Sequence, residues 1–113
     1  IDAMNIDLKA FNDNFYRKMG GDLETVKNSI MLAAKQCHLE VTTLIIPNEN
    51  DSEAEMEELS KWLSSVSPEI PLHISRFFPR YRMTDRNATP VDKIYRLVEI
   101  ARKNLHYVYP GNC

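Results

Sequence analysis

The feature that most constrains the fold is the alternation of strand-like and helix-like segments along the chain. Four segments have β-favouring composition: Ala3 to Lys9, Glu40 to Pro47, Leu72 to Phe78 and His106 to Tyr109. Each of the three intervals between these strands contains a segment with apolar residues at every third or fourth position, as in a helix with one buried face. Strands and helices in this order, with short connections, are typical of parallel strands joined by right-handed crossovers. The sequence therefore predicts an α/β fold, either a doubly wound open sheet or part of a TIM-like barrel.

Each predicted helix has a start signal. Asp22 is expected to cap the first helix, and Ser52 opens a capping box before the second. Thr89 followed by Pro90 is typical of a threonine cap with proline at the first helical position. The predicted buried stripes are Leu23, Val26, Ile30, Ala33, Ala34 and Cys37 in the first helix, Met56, Leu59, Trp62, Leu63 and Val66 in the second, and Val91, Ile94, Leu97, Val98 and Ala101 in the third.

Length and composition restrict the class of protein. The chain has 113 residues, enough for a single domain, and a net charge of -2, which gives no bulk attraction to nucleic acid or to a membrane surface. No apolar run approaches membrane-spanning length and no signal-peptide pattern is present, so the expected compartment is the cytoplasm. Cys37 and Cys113 lie far apart, and we expect Cys37 to be a small buried hydrophobic residue rather than half of a disulfide.

Several common sites are missing from the sequence, and the remaining candidates are positional. The chain has no Gly-rich phosphate loop, no Gly-x-Ser-x-Gly elbow and no pair of nearby cysteines. Ligands of parallel α/β sheets bind at the carboxyl ends of the strands. The polar residues predicted at that edge are Asp7, Lys9, Thr42, Thr43, the loop from Pro47 to Asp51, His73, Ser75 and Arg76.

The first strand alternates strictly between apolar and polar residues. Apolar side chains occupy positions 4, 6 and 8, and Asn5, Asp7 and Lys9 share the opposite face. A sheet with helices on both faces would bury these polar side chains. In a barrel they would instead point inward, toward a ligand cavity. The alternative is a plain ion pair between Asp7 and Lys9 at the end of the strand, which contributes about 0–1 kcal/mol when exposed.

Four segments, in order and with compatible spacing, resemble one protein family. They are Asn5-Ile6-Asp7-Leu8-Lys9, Glu40 to Pro47 followed by Asn50-Asp51-Ser52, Pro71 to Phe77, and Tyr107 to Asn112. Together they resemble the carboxyl-terminal half of radical S-adenosylmethionine enzymes related to pyruvate formate-lyase-activating enzyme. The most similar branch is that of the AmmeMemoRadiSam-type proteins. Each motif alone is weak, whereas the ordered set covers nearly the whole chain.

The resemblance implies a partial (β/α)6 barrel and a cofactor chemistry. In this family a 4Fe-4S cluster, held by three cysteines in the pattern C-x3-C-x2-C, binds S-adenosylmethionine and cleaves it reductively. The resulting 5'-deoxyadenosyl radical abstracts a hydrogen atom from a protein, such as a glycyl-radical enzyme, or from a small molecule. An electron donor such as flavodoxin or ferredoxin is implied as a further partner.

The resemblance also implies roles for five residues as cofactor-binding groups. Asp7 and Lys9 match an Asp-Leu-Lys segment beside S-adenosylmethionine, with Lys9 expected to meet its carboxylate. His73 matches a histidine near the nucleoside end of that ligand. Asn50 and Asp51 fall on the loop after the fifth barrel strand, where they would also border the cofactor.

The chain departs from the family pattern at Phe78, where related proteins often have a histidine, and in two further respects. The C-x3-C-x2-C motif is missing, and Thr42 stands where the activating enzymes tend to carry an arginine. The chain begins at Ile1, almost inside a strand, and is expected to be a piece of a longer protein that lacks the cluster-binding half and is inactive alone. Half a barrel would leave open sheet edges, through which the chain could self-associate.

Two functions from other classes remain open. The first is a different barrel enzyme, such as an aldolase that uses Lys9 as a Schiff-base nucleophile. The second is a non-catalytic interaction module, with the arginine- and aromatic-rich segment from Arg76 to Arg86 as its contact surface. The lysine hypothesis predicts covalent trapping by borohydride, and the module hypothesis predicts that Asp7 and Lys9 can be exchanged without loss.

Overall fold

The computed structural model describes residues 3–8, 23–46, 50–76 and 89–111. Its elements are β1 (Ala3–Asp7), α1 (Leu23–Gln36), β2 (His38–Ile45), α2 (Glu53–Val66), β3 (Leu72–Arg76), α3 (Val91–Arg102) and β4 (Val108–Gly111). The predicted α/β class and the order of the elements are confirmed. Several strand boundaries were wrong. β1 ends at Asp7 rather than Lys9, and β2 spans His38–Ile45 rather than Glu40 to Pro47. β4 spans Val108–Gly111 rather than His106 to Tyr109.

The four strands form one parallel sheet in the order β1-β2-β3-β4. Each strand therefore pairs with the next strand in the chain. A right-handed crossover after every strand, always stepping in the same direction, places all the connecting helices on one face of the sheet. A doubly wound sheet needs a reversal of strand order, which these four strands do not have. The order is compatible with a partial β/α barrel.

The buried core lies on one face of the sheet. In β2, burial alternates residue by residue, and the side chains at positions 39, 41, 43 and 45 are buried while those between them are exposed or half-buried. The buried strand residues join the inward stripes of the three helices in one cluster. The largest fully buried side chains are Leu8, Ile30, Ile45, Leu59, Leu63, Leu72, Ile74, Ile94, Leu97, Leu105, Val41 and Val98. Burial of each such side chain contributes about 1.5–3 kcal/mol.

The helix starts agree with the sequence in one case and disagree in another. The Ser52 hydroxyl accepts a hydrogen bond from the Glu55 backbone N–H at 3.1 Å, which confirms the cap predicted for α2. The prediction for α3 was wrong, because Pro90 occupies the cap position and Thr89 is fully buried. The Thr89 hydroxyl instead donates to the carbonyl of Ile45 at 2.5 Å. This hydrogen bond directs the Thr89 side chain toward the end of β2.

Cys37 follows α1 and packs against the edge of the core. It is half-buried and its thiol donates weakly to the Ala33 carbonyl at 3.4 Å. Asp22 and Cys113, for which a helix cap and a disulfide were considered, lie outside the described residues. Within the described ranges, none of the helices combines the length and the apolar character needed to cross a bilayer.

Replacement of Leu63 by alanine tests the one-sided core. Leu63 is fully buried on α2, so Leu63→Ala should lower the free energy of unfolding by about 2–5 kcal/mol. Leu32→Ala on α1 is the matched control, because 58% of the Leu32 side chain is exposed and its removal should change stability by less than about 0.5 kcal/mol. Denaturant unfolding followed by circular dichroism measures both, and equal losses would contradict the assigned core face.

Candidate functional site

The face of the sheet opposite the core carries mainly polar side chains, and no described helix packs on it. We call it the open face. It is formed by Asn5, Asp7, His38, Glu40, Thr42, Leu44, His73, Ser75, Tyr109 and Gly111, which the parallel register aligns side by side. The polar alternation of the first strand is thereby explained, because Asn5 and Asp7 lie on this face while Leu8 is buried beneath the helices.

One row of the open face brings together two of the predicted site residues. Asp7 pairs with Thr42, Thr42 pairs with His73, and His73 pairs with Tyr109 across the four strands. Neighbouring strands lie about 4.8 Å apart, so the backbones of Asp7 and His73 are separated by about 10 Å. A carboxylate and an imidazole therefore stand on one row with a hydroxyl between them, at a spacing that a ligand could bridge.

Glu40 joins two histidines on the open face. Its Oε1 accepts a hydrogen bond from His73 Nε2 at 2.5 Å, and its Oε2 accepts one from His38 Nε2 at 3.1 Å. About a third of each of the Glu40 and His73 side chains is exposed, 36% and 34% respectively. Nearby, the Thr42 hydroxyl donates to Asn5 Oδ1 at 3.1 Å. Polar contacts thus connect β1 to β2 and β2 to β3.

The histidines hold Glu40 in its ionised form. The hydrogen bond from His73, followed by that from His38, keeps the pKa of the Glu40 carboxyl below its usual value of 4.5. Because folding lowers this pKa, ionised Glu40 stabilises the folded state, and this contribution is fully present above the usual carboxyl pKa. It is lost as the pH falls through the lowered pKa of Glu40. Since the ionised carboxylate has no proton, both imidazoles must donate to it through Nε2.

The β4 side of the open face is aromatic and closely packed. The rings of His73 and Tyr109 are 5.5 Å apart between centroids and tilted by 34°. Tyr109 is nearly half exposed. Gly111 pairs with Ser75, and a Cβ at Gly111 would lie only 2.9 Å from the Ser75 hydroxyl. Glycine at this position therefore allows β4 to approach β3 without displacing that hydroxyl.

Asn50 and Asp51 follow β2, as predicted, but the Asn50 side chain forms hydrogen bonds with backbone groups at the end of that strand. It is buried, its Oδ1 accepts from the Ile46 N–H at 2.7 Å, and its Nδ2 donates to the Leu44 carbonyl at 2.8 Å. The side chain therefore closes the end of β2. Asp51 is half-buried beside it. Their cofactor-binding roles stay predictions.

Other predicted candidates lie partly outside the described residues. Lys9 is outside them, so the Asp7–Lys9 ion pair and the Schiff-base hypothesis stay predictions. Of the arginine-rich segment only Arg76 is described, and its Nε donates to the Thr89 carbonyl at 2.5 Å. That contact ties the end of β3 to the residue that also binds the end of β2.

The described residues do not form a metal centre. Within residues 3–8, 23–46, 50–76 and 89–111, no three or more of the His, Cys, Asp and Glu side chains converge as metal ligands. Cys37 is the cysteine in these ranges, and its sulfur contacts a helix carbonyl. The polar groups of the open face bind one another.

Sequence reasoning missed Glu40 and His38 as site residues. His38 precedes the predicted strand, and Glu40 begins it but was given no role at the site. The signal was present, because His38, Glu40 and Thr42 alternate with Leu39, Val41 and Thr43. Read with a period of two, this segment predicts one polar and one buried face. The contact of Glu40 with His73, 33 residues away, needs the strand register and could not be read locally.

Comparison with known proteins gives a relative but no family. No family model matches the chain. The uncharacterized protein MJ0808 of Methanocaldococcus jannaschii is 40% identical over 116 residues, and the alignment covers 99% of this chain and 34% of that protein. The chain thus spans about a third of the length of this curated relative.

Titration of Glu40 tests the contacts on the open face. His73→Ala should raise the pKa of Glu40 toward its usual value more than His38→Ala does, because the His73 hydrogen bond is shorter and has the larger effect. The carboxyl carbon shift of Glu40, followed by NMR against pH, measures both. His106→Ala is the control, since its ring binds Glu69 at 2.6 Å and should leave Glu40 unchanged. An equal change of the Glu40 pKa in all three variants would contradict the hydrogen bonds assigned to His73 and His38.

Replacement of Asn50 tests its structural role. Asn50→Ala removes the partner of one backbone N–H and one carbonyl at the end of β2, and should lower the free energy of unfolding by about 1–3 kcal/mol. Asn28→Ala, at an exposed position of α1, should change it by less than about 0.5 kcal/mol. Thermal unfolding compares the two, and an Asn50 variant as stable as the control would show that the loop closes without this amide.

Proposed function

We propose that this chain forms the carboxyl-terminal half-barrel of a radical S-adenosylmethionine enzyme related to pyruvate formate-lyase-activating enzyme. The observation that carries the proposal is the open face: a sequentially ordered parallel sheet whose side without a described helix is lined by polar residues of the resembling motifs. A doubly wound sheet would have covered those residues with helices. The ordered motifs around Asp7, Thr42 and His73 support this family, and the alignment of these residues on the open face is compatible with it.

The described residues suit the groups of S-adenosylmethionine. That molecule carries an ammonium, a sulfonium and a nucleoside with hydrogen-bond donors. Asp7 and Glu40 bring carboxylates to the open face, which favour a cationic ligand, and His73 with Tyr109 offers a ring and an aromatic wall. Lys9, outside the described residues, would meet the ligand carboxylate.

The described residues do not suit an iron–sulfur cluster. Such a cluster needs several cysteine thiolates, whereas Cys37 is the one cysteine in the described part of the chain and is bound to a helix carbonyl. In this proposal, the present chain binds and orients S-adenosylmethionine, and the cluster ligands belong to another part of the protein.

When bound to a cluster, S-adenosylmethionine would supply a radical that abstracts hydrogen from a substrate. The part played by this chain is binding and orientation. Asp7 would hold the cationic part of the ligand, His73 would bind the nucleoside, and the buried core would keep both strands in register. The substrate, whether the glycine of a partner protein or a small molecule, and an electron donor such as flavodoxin or ferredoxin are part of the proposal.

The test uses the product of the whole reading frame that encodes this chain. The protein is purified anaerobically, reconstituted with iron and sulfide, and assayed with dithionite for 5'-deoxyadenosine. We expect Asp7→Asn to raise KM for S-adenosylmethionine about tenfold to a hundredfold, the effect of losing a hydrogen bond to a charged group of about 1.5–3 kcal/mol. Lys9→Ala should act in the same direction.

Asp92→Asn is the matched control, because Asp92 is an exposed aspartate in the first turn of α3 and does not belong to the open face. It should leave KM unchanged. Absence of a cluster and of cleavage in the wild-type protein would contradict the proposed function. Cleavage with an Asp7 variant indistinguishable from the Asp92 control would remove Asp7 from the ligand site.

A further inference from the structure

We propose that Glu40 positions His73, holding the imidazole through Nε2–H and leaving Nδ1 as the ring atom that accepts a hydrogen bond from a bound planar base. This inference rests on the proposed function, in which the open face receives a nucleoside. It assigns a role to Glu40, which the family resemblance leaves without one, and it states which atom of His73 meets the ligand.

The argument starts from the carboxylate. Glu40 is ionised and can only accept, so its 2.5 Å contact with His73 requires the proton on Nε2. In the neutral ring the other nitrogen then carries the lone pair. Nε2 is occupied by Glu40, and Nδ1 is the ring nitrogen left to bind a ligand. The contact thus selects one of the two tautomers as well as fixing the ring.

His38 holds Glu40 in place. It donates to the second carboxylate oxygen at 3.1 Å. The two oxygens of Glu40 are therefore bound by histidines of two different strands, His38 of β2 and His73 of β3. His38 itself is more exposed than His73, with 59% of its side chain accessible against 34%. We therefore assign His73 to the ligand and His38 to support of the carboxylate.

The chemical class of the ligand group follows from the surroundings of Nδ1. A nitrogen lone pair binds a donor, such as an amino or hydroxyl group. The half-exposed ring of Tyr109 stands beside His73, at 5.5 Å between centroids, and offers an aromatic surface. An acceptor next to an aromatic surface suits a flat heterocycle with an attached donor group.

The tautomer of His73 gives a direct test. The product of the whole reading frame is labelled with 15N-histidine, kept free of iron, and studied by long-range proton–nitrogen NMR at a pH above the imidazole titration. His73→Asn identifies the His73 signals by their loss. We expect protonation at Nε2 in the wild type and a mixture of both tautomers in Glu40→Gln, because a carboxamide can either accept or donate.

Kinetics give the second readout. Glu40→Gln should raise KM for S-adenosylmethionine about tenfold and leave kcat within about twofold, since a misplaced imidazole weakens binding rather than chemistry. Glu58→Gln is the matched control, because Glu58 is exposed on α2, and it should alter neither KM nor the tautomer. His38→Gln should keep the Nε2–H tautomer of His73.

Failure of this inference differs from failure of the proposed function. Wild-type His73 protonated at Nδ1, or a tautomer unchanged in Glu40→Gln, would overturn the inference even if S-adenosylmethionine is cleaved normally. Wild-type protein that shows the Nε2–H tautomer but no cleavage would overturn the assignment of the ligand, together with the proposed function. The expected result is Nε2–H in the wild type together with the changed tautomer and the raised KM in Glu40→Gln.

Discussion

The constraint on which the rest of the structure depends is the pairing of each parallel strand with the next one in the chain. Because every crossover steps in the same direction, the three described helices lie on one side of the sheet, and the buried core of the described residues forms there. The other side is then available for polar side chains. Had the strand order reversed, Asp7 and Glu40 would face a helix layer, and burial of an unpaired carboxylate costs several kcal/mol or more.

The open face is stabilised by polar contacts between neighbouring strands. Thr42 connects β1 to β2 through Asn5, and Glu40 connects β2 to β3 through His73. These groups are partly hydrated, so ionisation of Glu40 carries little desolvation penalty, and the two imidazole donors lower its pKa. The same contacts that hold the strands together therefore fix the orientation of His73. Structural support and site geometry are supplied by one carboxylate.

Features that depend on local periodicity were predicted correctly from the sequence. Features that depend on a contact with a residue far away in the chain were not. Alternation along the chain predicted the α/β class, and Ser52 predicted its own cap. Thr89 did not cap α3, because Pro90 occupies the cap position and the Thr89 hydroxyl is bonded to the Ile45 carbonyl, 44 residues earlier. Asp7 and His73 were predicted from the rule that parallel strands place ligands at one edge. Glu40 was missed, since its importance comes from the register between β2 and β3.

The shape of the open face sets a condition on the proposed function. Ligand sites bury about 70–90% of a small molecule's surface. In the described part of the chain, the open face, with exposed Leu44 and Tyr109, offers a wall on one side of a ligand. If a nucleoside binds here, a second protein surface must cover its other side. Because Glu40 already holds the His73 side chain, less conformational entropy is lost when the ligand binds. A relative about three times as long as this chain has enough residues to provide such a wall.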